Sequence, residues 1–366
     1  MIGGDTALIQ GIQGAFWNTL RGLHRYWDRI DIICPYVSRP KTLTVFGNVF
    51  LHPLPRGKLI SPFYVLREGM KAVQKDDQPL LTIHSYGMQL TAWGAYWLAR
   101  KFNLPFVVEV HHVDGFPKSD GFVDICRRLM TFFFLRVVHR RASAIRIANR
   151  AELVPLLLSL GIPEQKLKVL YAVYLDQTVF RPLPNVIKQY DVVFIGRLVP
   201  NKGLPLLIRA FHCLKQRLPK SRLLIVGRGP LESWLKRRLK VEDGIEYIPF
   251  LSSAEEIAEA YNKAKAVVCA SSAEGGPRFV VEAMACGLPA VSTPIGLMRE
   301  IIRNGETGFL VQSWLPQEMA DRIADLLESE DLYRRCSKGA IEVTRQFDRN
   351  HTISQCALAY RKLLEA

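Results

Sequence analysis

No run of about 18 apolar residues occurs in the chain, which excludes a membrane-spanning helix as an expectation. The seven cysteines are odd in number and never stand in Cys-x-x-Cys spacing, so reduced thiols are expected rather than a disulfide framework. The opening residues, Met1-Ile2-Gly3-Gly4-Asp5, lack the basic and apolar regions of a signal peptide. Together these absences predict a cytoplasmic chain.

What is present is ordinary in bulk and unusual in charge. Hydrophobic residues at 49% and charged residues at 23% are globular values, and 366 residues are too many for one core, so two domains are expected. The net charge of +15 predicts attraction to polyanions: nucleic acid, an anionic membrane surface or phosphorylated substrates. Part of it is clustered. Between Phe122 and Arg150 stand seven arginines and one acid, Asp124, around Phe132-Phe133-Phe134-Leu135. The arginines do not gather on one helical face. Two readings stay open, a core helix with solvated Arg ends and a membrane-facing surface.

Strand and helix patterns alternate through the chain. Residues 1–30 read as the end of a clipped strand, a loop carrying Gly3, Gly4, Gly11 and Gly14, and a helix from Ala15 to Tyr26. Strands are expected at Asp31–Cys34, Leu43–Phe46, Leu80–His84, Phe106–Val110, Ala144–Ala148 and Lys168–Tyr171, with helices at Met88–Phe102, 122–150 in part, and Glu152–Leu160. Phe180-Arg181-Pro182-Leu183-Pro184 breaks the pattern and suits a linker. The alternation then restarts, with strands at Asp191–Ile195, Arg222–Val226, Glu246–Pro249, Ala266–Ala270 and Ala290–Ser292. Helices are expected at Leu204–Leu218, from Gly229-Pro230 to Lys240, at 254–264, 278–286, Gln317–Leu327 and Leu332–Gln346, and last at Asn350–Glu365. This predicts an α/β protein with two doubly wound, Rossmann-like domains in tandem and a ligand site in the cleft between them. The expected division is 1–180, 181–346 and a C-terminal helix, 347–366, crossing back to the first domain.

Glu274 to Pro289 is the most informative stretch. A strand runs into Gly275-Gly276-Pro277, and a helix of about three turns follows, stopped by Gly287-Leu288-Pro289. Glu274 lies in the loop and Glu282 in the helix, eight residues on. The helix start offers free amides to an anion, and Arg278 in its first turn fits one. A second loop, Gly196-Arg197-Leu198-Val199-Pro200-Asn201-Lys202-Gly203, also opens a helix. Its Arg and Lys can grip a diphosphate, one as a planar fork and one as a point charge. It is neither a Walker loop nor a Gly-x-Gly-x-x-Gly fingerprint. His111 ends a strand, with His112 beside it, and can donate to a hydroxyl or carbonyl or simply pack. His84, ending the previous strand, is a weaker candidate. No Asp-x-Asp exists, and no pair of carboxylates, histidines or cysteines has metal-ligand spacing, so no metal is expected.

Taken together, Glu274-x7-Glu282 and Ala283-Met284-Ala285-Cys286-Gly287-Leu288-Pro289 resemble the signature of the family 4 retaining glycosyltransferases, which have the two-domain GT-B fold. Gly196-Arg197-Leu198 with Lys202-Gly203 resembles that family's diphosphate loop, and Val226-Gly227-Arg228-Gly229-Pro230 and Val110-His111 resemble two more of its segments. The match runs from about 190 to 345. The resemblance implies a nucleotide-diphosphate sugar as donor substrate, no further cofactor, retention of anomeric configuration and no metal. It implies that Arg197 and Lys202 hold the diphosphate from the loop opened by Gly196, with Gly227 in the neighbouring turn. Glu282 would bond the ribose and Glu274 the sugar hydroxyls. The amides of Gly275, Gly276, Arg278, Phe279 and Val280 would surround sugar and phosphates. Backbone near Ile248 to Leu251 would meet the base, and His111 the donor sugar. The family's Asn-Gly before Val-Asp is replaced by Ala172-Val173-Tyr174-Leu175-Asp176. The expected acceptor is a glycan or lipid-linked molecule, with peripheral contact at the inner face of an anionic membrane left as an option. Two other readings are a sugar-nucleotide-binding protein without transferase activity and a polyanion-binding module, although specific nucleic-acid binding is not expected.

Overall fold

The computed structural model describes residues 1–3, 6–57, 60–74, 79–84, 90–119, 121–239 and 244–365. Expectations that fall on Gly4, Asp5, Met88 and Lys240 lie outside these.

In the N-terminal half the strands are β1 (Ile30–Cys34), β2 (Thr44–Val45), β3 (Val49–Pro53), β4 (Leu81–His84), β5 (Phe106–Val110), β6 (Ala144–Ile147) and β7 (Leu167–Val169). They pair in the orders β1-β3-β2 and β4-β5-β6-β7. Ile2 joins the two sets by bridging Ile33 on one side and Ile83 on the other. Its amide donates to Thr82 O at 2.8 Å, and its carbonyl accepts from His84 N at 3.0 Å. The clipped first strand is thus a single bridging residue. Four features were not expected: the short helix Thr6–Ile9 within the Gly-rich loop, β3, the helix Ser61–Val73, and the antiparallel pairing of β2 with β3. Pro53 at its end and polar His52 within it weaken the strand pattern of β3.

In the C-terminal half β8 (Tyr190–Ile195), β9 (Leu223–Val226), β10 (Ile245–Ile248), β11 (Ala264–Cys269), β12 (Ala290–Ser292) and β13 (Gly308–Leu310) form one parallel sheet in the order β10-β9-β8-β11-β12-β13. β9, β8 and β11, the centre of the sheet, are almost wholly apolar, as strands covered by helices on both faces must be. Chain order reverses direction between β8 and β11, and this switch point is where an open α/β sheet splays its loops and admits a ligand. The loops after those two strands are the two that the sequence singles out. Here β13 and the short helix Met298–Ile301 were not expected.

The last helix, Arg349–Lys362, packs against the N-terminal half. Ile353 and Ala357 are buried with Leu23 and Tyr174, and Cys356 and Tyr360 with Val107 and Ala144. Asp348 caps its start by accepting from His351 N, and Arg349 reaches Asp176 at 3.1 Å. Asp176, on the linker, therefore anchors the returning chain.

Candidate functional site

The site begins at the switch point. After β8 the chain runs through Gly196–Gly203 into the helix Leu204–Arg217, and after β11 through Ala270–Pro277 into the helix Arg278–Ala285. The second helix has eight residues, not about three turns, and Pro277 stands outside it as an extended N-cap that lends no side chain. The two loops are tied together through Asn201: Ser272 N donates to Asn201 O at 2.8 Å and the side-chain Asn201 Nδ2 donates to Ala273 O at 3.1 Å.

Lys202 and Glu274, 72 residues apart in sequence, meet there. Lys202 Nζ donates to Glu274 Oε2 at 2.7 Å and lies 5.1 Å from the Phe279 ring centroid. Ser271 Oγ donates to the other carboxylate oxygen at 2.5 Å, and its own carbonyl is held by Thr293 Oγ1 at 2.6 Å. The side chains of Lys202 and Glu274 are 11% and 14% exposed, so each charge is shielded and answered by the other. Arg197 is exposed at the rim of the same loop.

Gly227 and Gly196 act through the backbone. A Cβ on Gly227, at φ 149°, would stand 1.8 Å from Gly196 O, so only glycine lets the ends of β9 and β8 approach this closely. Gly227 N donates to Ile248 O at 3.0 Å, which aligns the end of β10 beside them. Beyond it, Phe250 is exposed under the Arg228 guanidinium, 5.2 Å from its ring centroid.

The helix Arg278–Ala285 places its residues less simply than expected. Phe279 is buried edge-on against Phe194, with ring centroids 5.3 Å apart, and Val280 is fully buried, so their side chains belong to the core. The Val280 amide donates to Pro277 O at 3.1 Å and is already engaged. Arg278 lies over the ring of Tyr174 on the linker, 4.3 Å from its centroid, and Tyr174 in turn meets Thr19 Oγ1 at 3.0 Å. Glu282 is not a solvated helix residue. It is half-buried beside Tyr261, whose hydroxyl donates at 3.4 Å, and burial pushes its carboxyl up to about 7 against the pull of Arg278 and Tyr261.

On the N-terminal side, His111 follows β5 and its Nε2 lies 3.2 Å from Glu109 Oε2. Glu109 sits in register with His84 on β4 and Arg146 on β6, so three polar side chains share one row across the sheet. Arg146 Nη1 donates to Glu109 Oε2 at 2.8 Å and Tyr360 OH to Oε1 at 2.7 Å; His84 Nε2 lies 3.4 Å from Oε1. Burial opposes a charge on Glu109, yet His84, Arg146 and His111 outweigh it and hold the carboxyl well below its ordinary range. Burial pushes His84 down to about 4. The ligand-type atoms of His84, Glu109 and His111 come within 4.8 Å of one another, a cluster that the expectation of no metal-ligand spacing did not anticipate. Its carboxylate is already engaged by a guanidinium and a phenol. His112 turns away toward Asp114, at 3.4 Å.

The two halves touch at the site itself. Gly275 lies against the His111 carbonyl: a Cβ there would be 1.7 Å from that oxygen. Gly275 O accepts from Asn149 Nδ2 at 3.0 Å, and Gly296 N donates to Glu152 Oε2 at 2.9 Å. Glu300 takes the Arg150 and Ala151 amides and the Tyr171 hydroxyl. Gly276 packs beside Val173. Asn149 and Glu152 had a legible signal, since Asn followed three residues later by Glu before an apolar run marks a helix start. Glu109 had a weaker one, a lone acid in an apolar strand two residues before His111. Ser271 had none.

Burial pushes Glu152 up to about 7, against the Gly296 hydrogen bond and the nearby charges of Arg299 and His112. Its Oε1 is buried without a partner among the described residues. Glu152 and Glu282, raised from 4.5, keep protons in the folded protein that the unfolded chain has lost. The stability they contribute is present below about pH 4.5 and is lost as pH rises through about 7. Urea unfolding at about pH 5 and about pH 8 should show a decline in the wild type that is smaller by about 2 kcal/mol in Glu152→Gln. An equal decline in both proteins would exclude Glu152 as a source.

Residues 177–343 match the model of the family described as glycosyl transferases group 1. A phosphatidyl-myo-inositol mannosyltransferase of Mycobacterium leprae is 32% identical over 175 residues, covering 46% of each chain. A D-inositol 3-phosphate glycosyltransferase of Corynebacterium efficiens is 34% identical over 183 residues, 48% of this chain and 43% of that one. The chain thus spans about half the length of the curated relatives it matches. Among solved structures, a sucrose-phosphate synthase from Thermosynechococcus elongatus superposes with a TM-score of 0.76 at 20% identity, covering 95% of this chain and 91% of the other. HepE of Anabaena, in complex with UDP and glucose, gives 0.75 at 20% identity over 98% of both chains. These likenesses over nearly the whole length show the GT-B fold. No described helix is long and apolar enough to cross a membrane.

Proposed function

We infer, because residues 177–343 match the model of the glycosyl transferases group 1 family, that this protein moves a sugar from a nucleotide-diphosphate sugar to a glycan or lipid-linked acceptor. The observation that carries this reading is the meeting of Lys202 and Glu274 at the switch point, in front of the helix Arg278–Ala285. A diphosphate entering there takes Lys202 as its cation, with Arg197 at the rim as a second, and leaves Glu274 to the sugar hydroxyls. Positive charge held where the leaving diphosphate gains its charge lowers the barrier, with no metal needed for that purpose. Glu282, half-buried behind the site, is the acceptor for ribose hydroxyls. Across the site His111, steered by Glu109, faces the sugar. Among the described residues no side chain stands out as a nucleophile, so we propose retention by front-face attack of the acceptor hydroxyl.

HepE was solved with UDP and glucose, which makes a uridine donor the first to test. The experiment is a thermal-shift screen of the purified chain over UDP- and GDP-sugars, each followed by release of nucleotide diphosphate with glycan and lipid acceptors. A donor held at about one hundred times its Kd should stabilise the folded state by about 2.7 kcal/mol. Absence of any shift across the panel would overturn the reading. A shift without turnover on any acceptor would leave a sugar-nucleotide-binding protein.

A further inference from the structure

We propose that the outer face of the helices Ser61–Val73, Leu90–Phe102 and Phe122–Val138 docks on an anionic phospholipid bilayer. The inference stands apart from sugar transfer, because it concerns a surface that takes no part in the site between the halves.

The helix Phe122–Val138 already has a core face, made by Thr131, Phe134, Leu135 and Val138, all buried. Its opposite side carries a second apolar stripe that folding does not account for. Phe122, Leu129 and Phe133 are 78%, 59% and 64% exposed, and Ile125 continues the row at helical spacing. The stripe extends over the neighbouring helices through aromatic contacts. Phe133 lies 6.0 Å from Trp93, ring centroid to centroid, Trp97 follows Trp93 by one turn, and Trp97 lies 5.9 Å from Phe63. Phe63 is 67% exposed. Scattered exposed apolar residues need no explanation, but a connected aromatic surface across three helices does.

Charge complementarity names the partner. Three of the four exposed aromatics on this face have a cation three or four residues further on, and so on their own side of the helix: Arg67 after Phe63, Lys101 after Trp97, Arg136 after Phe133. Arg140 and Arg141 stand exposed just beyond the last helix. The acids nearby, Glu68 and Asp124, are held by Arg67 with Lys71 and by Arg127. Apolar rings rimmed by long cations match a surface that is anionic at headgroup level and apolar just beneath it. Arg136, Arg140 and Arg141, which do not gather with the other arginines on one helical wheel, make sense as part of the rim of a three-helix face.

The test is flotation of the full chain with vesicles of phosphatidylcholine alone, or with one third phosphatidylglycerol, at low and high salt. The chain should float with the anionic vesicles at low salt, weakly with the neutral ones, and less as salt screens the charges. Two variants keep the core face intact: Phe122→Ser/Leu129→Ser/Phe133→Ser, and Arg136→Gln/Arg140→Gln/Arg141→Gln. Each should lose about ten-fold or more of the vesicle-bound fraction, with unchanged circular dichroism and an unchanged thermal midpoint. No flotation with anionic vesicles at low salt would overturn the proposal, and so would equal flotation by wild type and both variants. A dimer in size-exclusion chromatography that the serine variant dissolves, without any vesicle binding, would assign the face to a second copy instead.

Discussion

A purified Lys202→Ala variant should lose about 10²- to 10³-fold in turnover of its sugar nucleotide while keeping its fold. The rate loss follows from where the cation sits. Lys202 Nζ is 2.7 Å from Glu274 and shielded from water, so its charge acts on a leaving diphosphate with little screening. Arg197 is exposed on the rim and cannot replace it at the same strength. The fold should survive because the loop is set by the main-chain bond from Ser272 N to Asn201 O and the bond from the Asn201 side-chain amide to Ala273 O, neither of which uses the lysine amine. Glu274 would be left with Ser271 as its donor. The loss should fall on kcat more than on KM, since the charge on the diphosphate grows toward the transition state. Lys202→Arg should recover only part of the rate, because a planar fork does not place one charge at the same point. Turnover within a few-fold of wild type in a folded Lys202→Ala protein would remove Lys202 from the mechanism.

That expectation was legible in outline from the residues, and its geometry was not. The alternation of strands and helices gave the fold class, because period and punctuation are local properties of the chain. The loops at Arg197–Lys202 and Glu274–Pro277 could each be read as anion sites. Their meeting depends on the order β10-β9-β8-β11-β12-β13, which brings β8 beside β11 across more than sixty residues of sequence. Strand order is a long-range outcome that periodicity cannot report. The same limit hid the burial of Phe279 and Val280, since a helix start looks the same whether its side chains face a cleft or a core. The position of Arg278 over Tyr174 depends on the linker folding back under the helix. The strand β3 was missed for a local reason, a Pro and a His in a run of five residues that tertiary pairing with β1 overrides.

The row His84–Glu109–Arg146 supports the second large effect: Glu109→Ala should cost about 3–5 kcal/mol of stability, the usual consequence of removing one partner from a buried ion pair. Glu109 is 1% exposed and answers Arg146, Tyr360 and two histidines at once. Without it Arg146 keeps the carbonyls of Leu170 and Tyr171 but has no counter-charge in a buried setting. Tyr360 loses its acceptor, and with it one of the ties between the last helix and the N-terminal half. Acid should act on the wild type in the same direction. Glu109 is held well below 4.5 and His84 is pushed down from 6.5 to about 4, so both contribute stability that is fully present above their unfolded values. The His84 share is lost as pH falls from about 6.5 through about 4, and the Glu109 share only in stronger acid. Glu109→Gln separates charge from shape, since an amide fills the same space and still accepts one hydrogen bond. It should therefore lose stability yet unfold less readily than Glu109→Ala. His111 supplies the functional readout. Freed from Glu109 it should reorient, and donor turnover in either variant should fall with a displaced pH profile, whereas a purely structural role would change the unfolding midpoint and leave that profile in place. An unfolding free energy in urea within about 1 kcal/mol of wild type for Glu109→Ala would show that the row is not a principal source of stability.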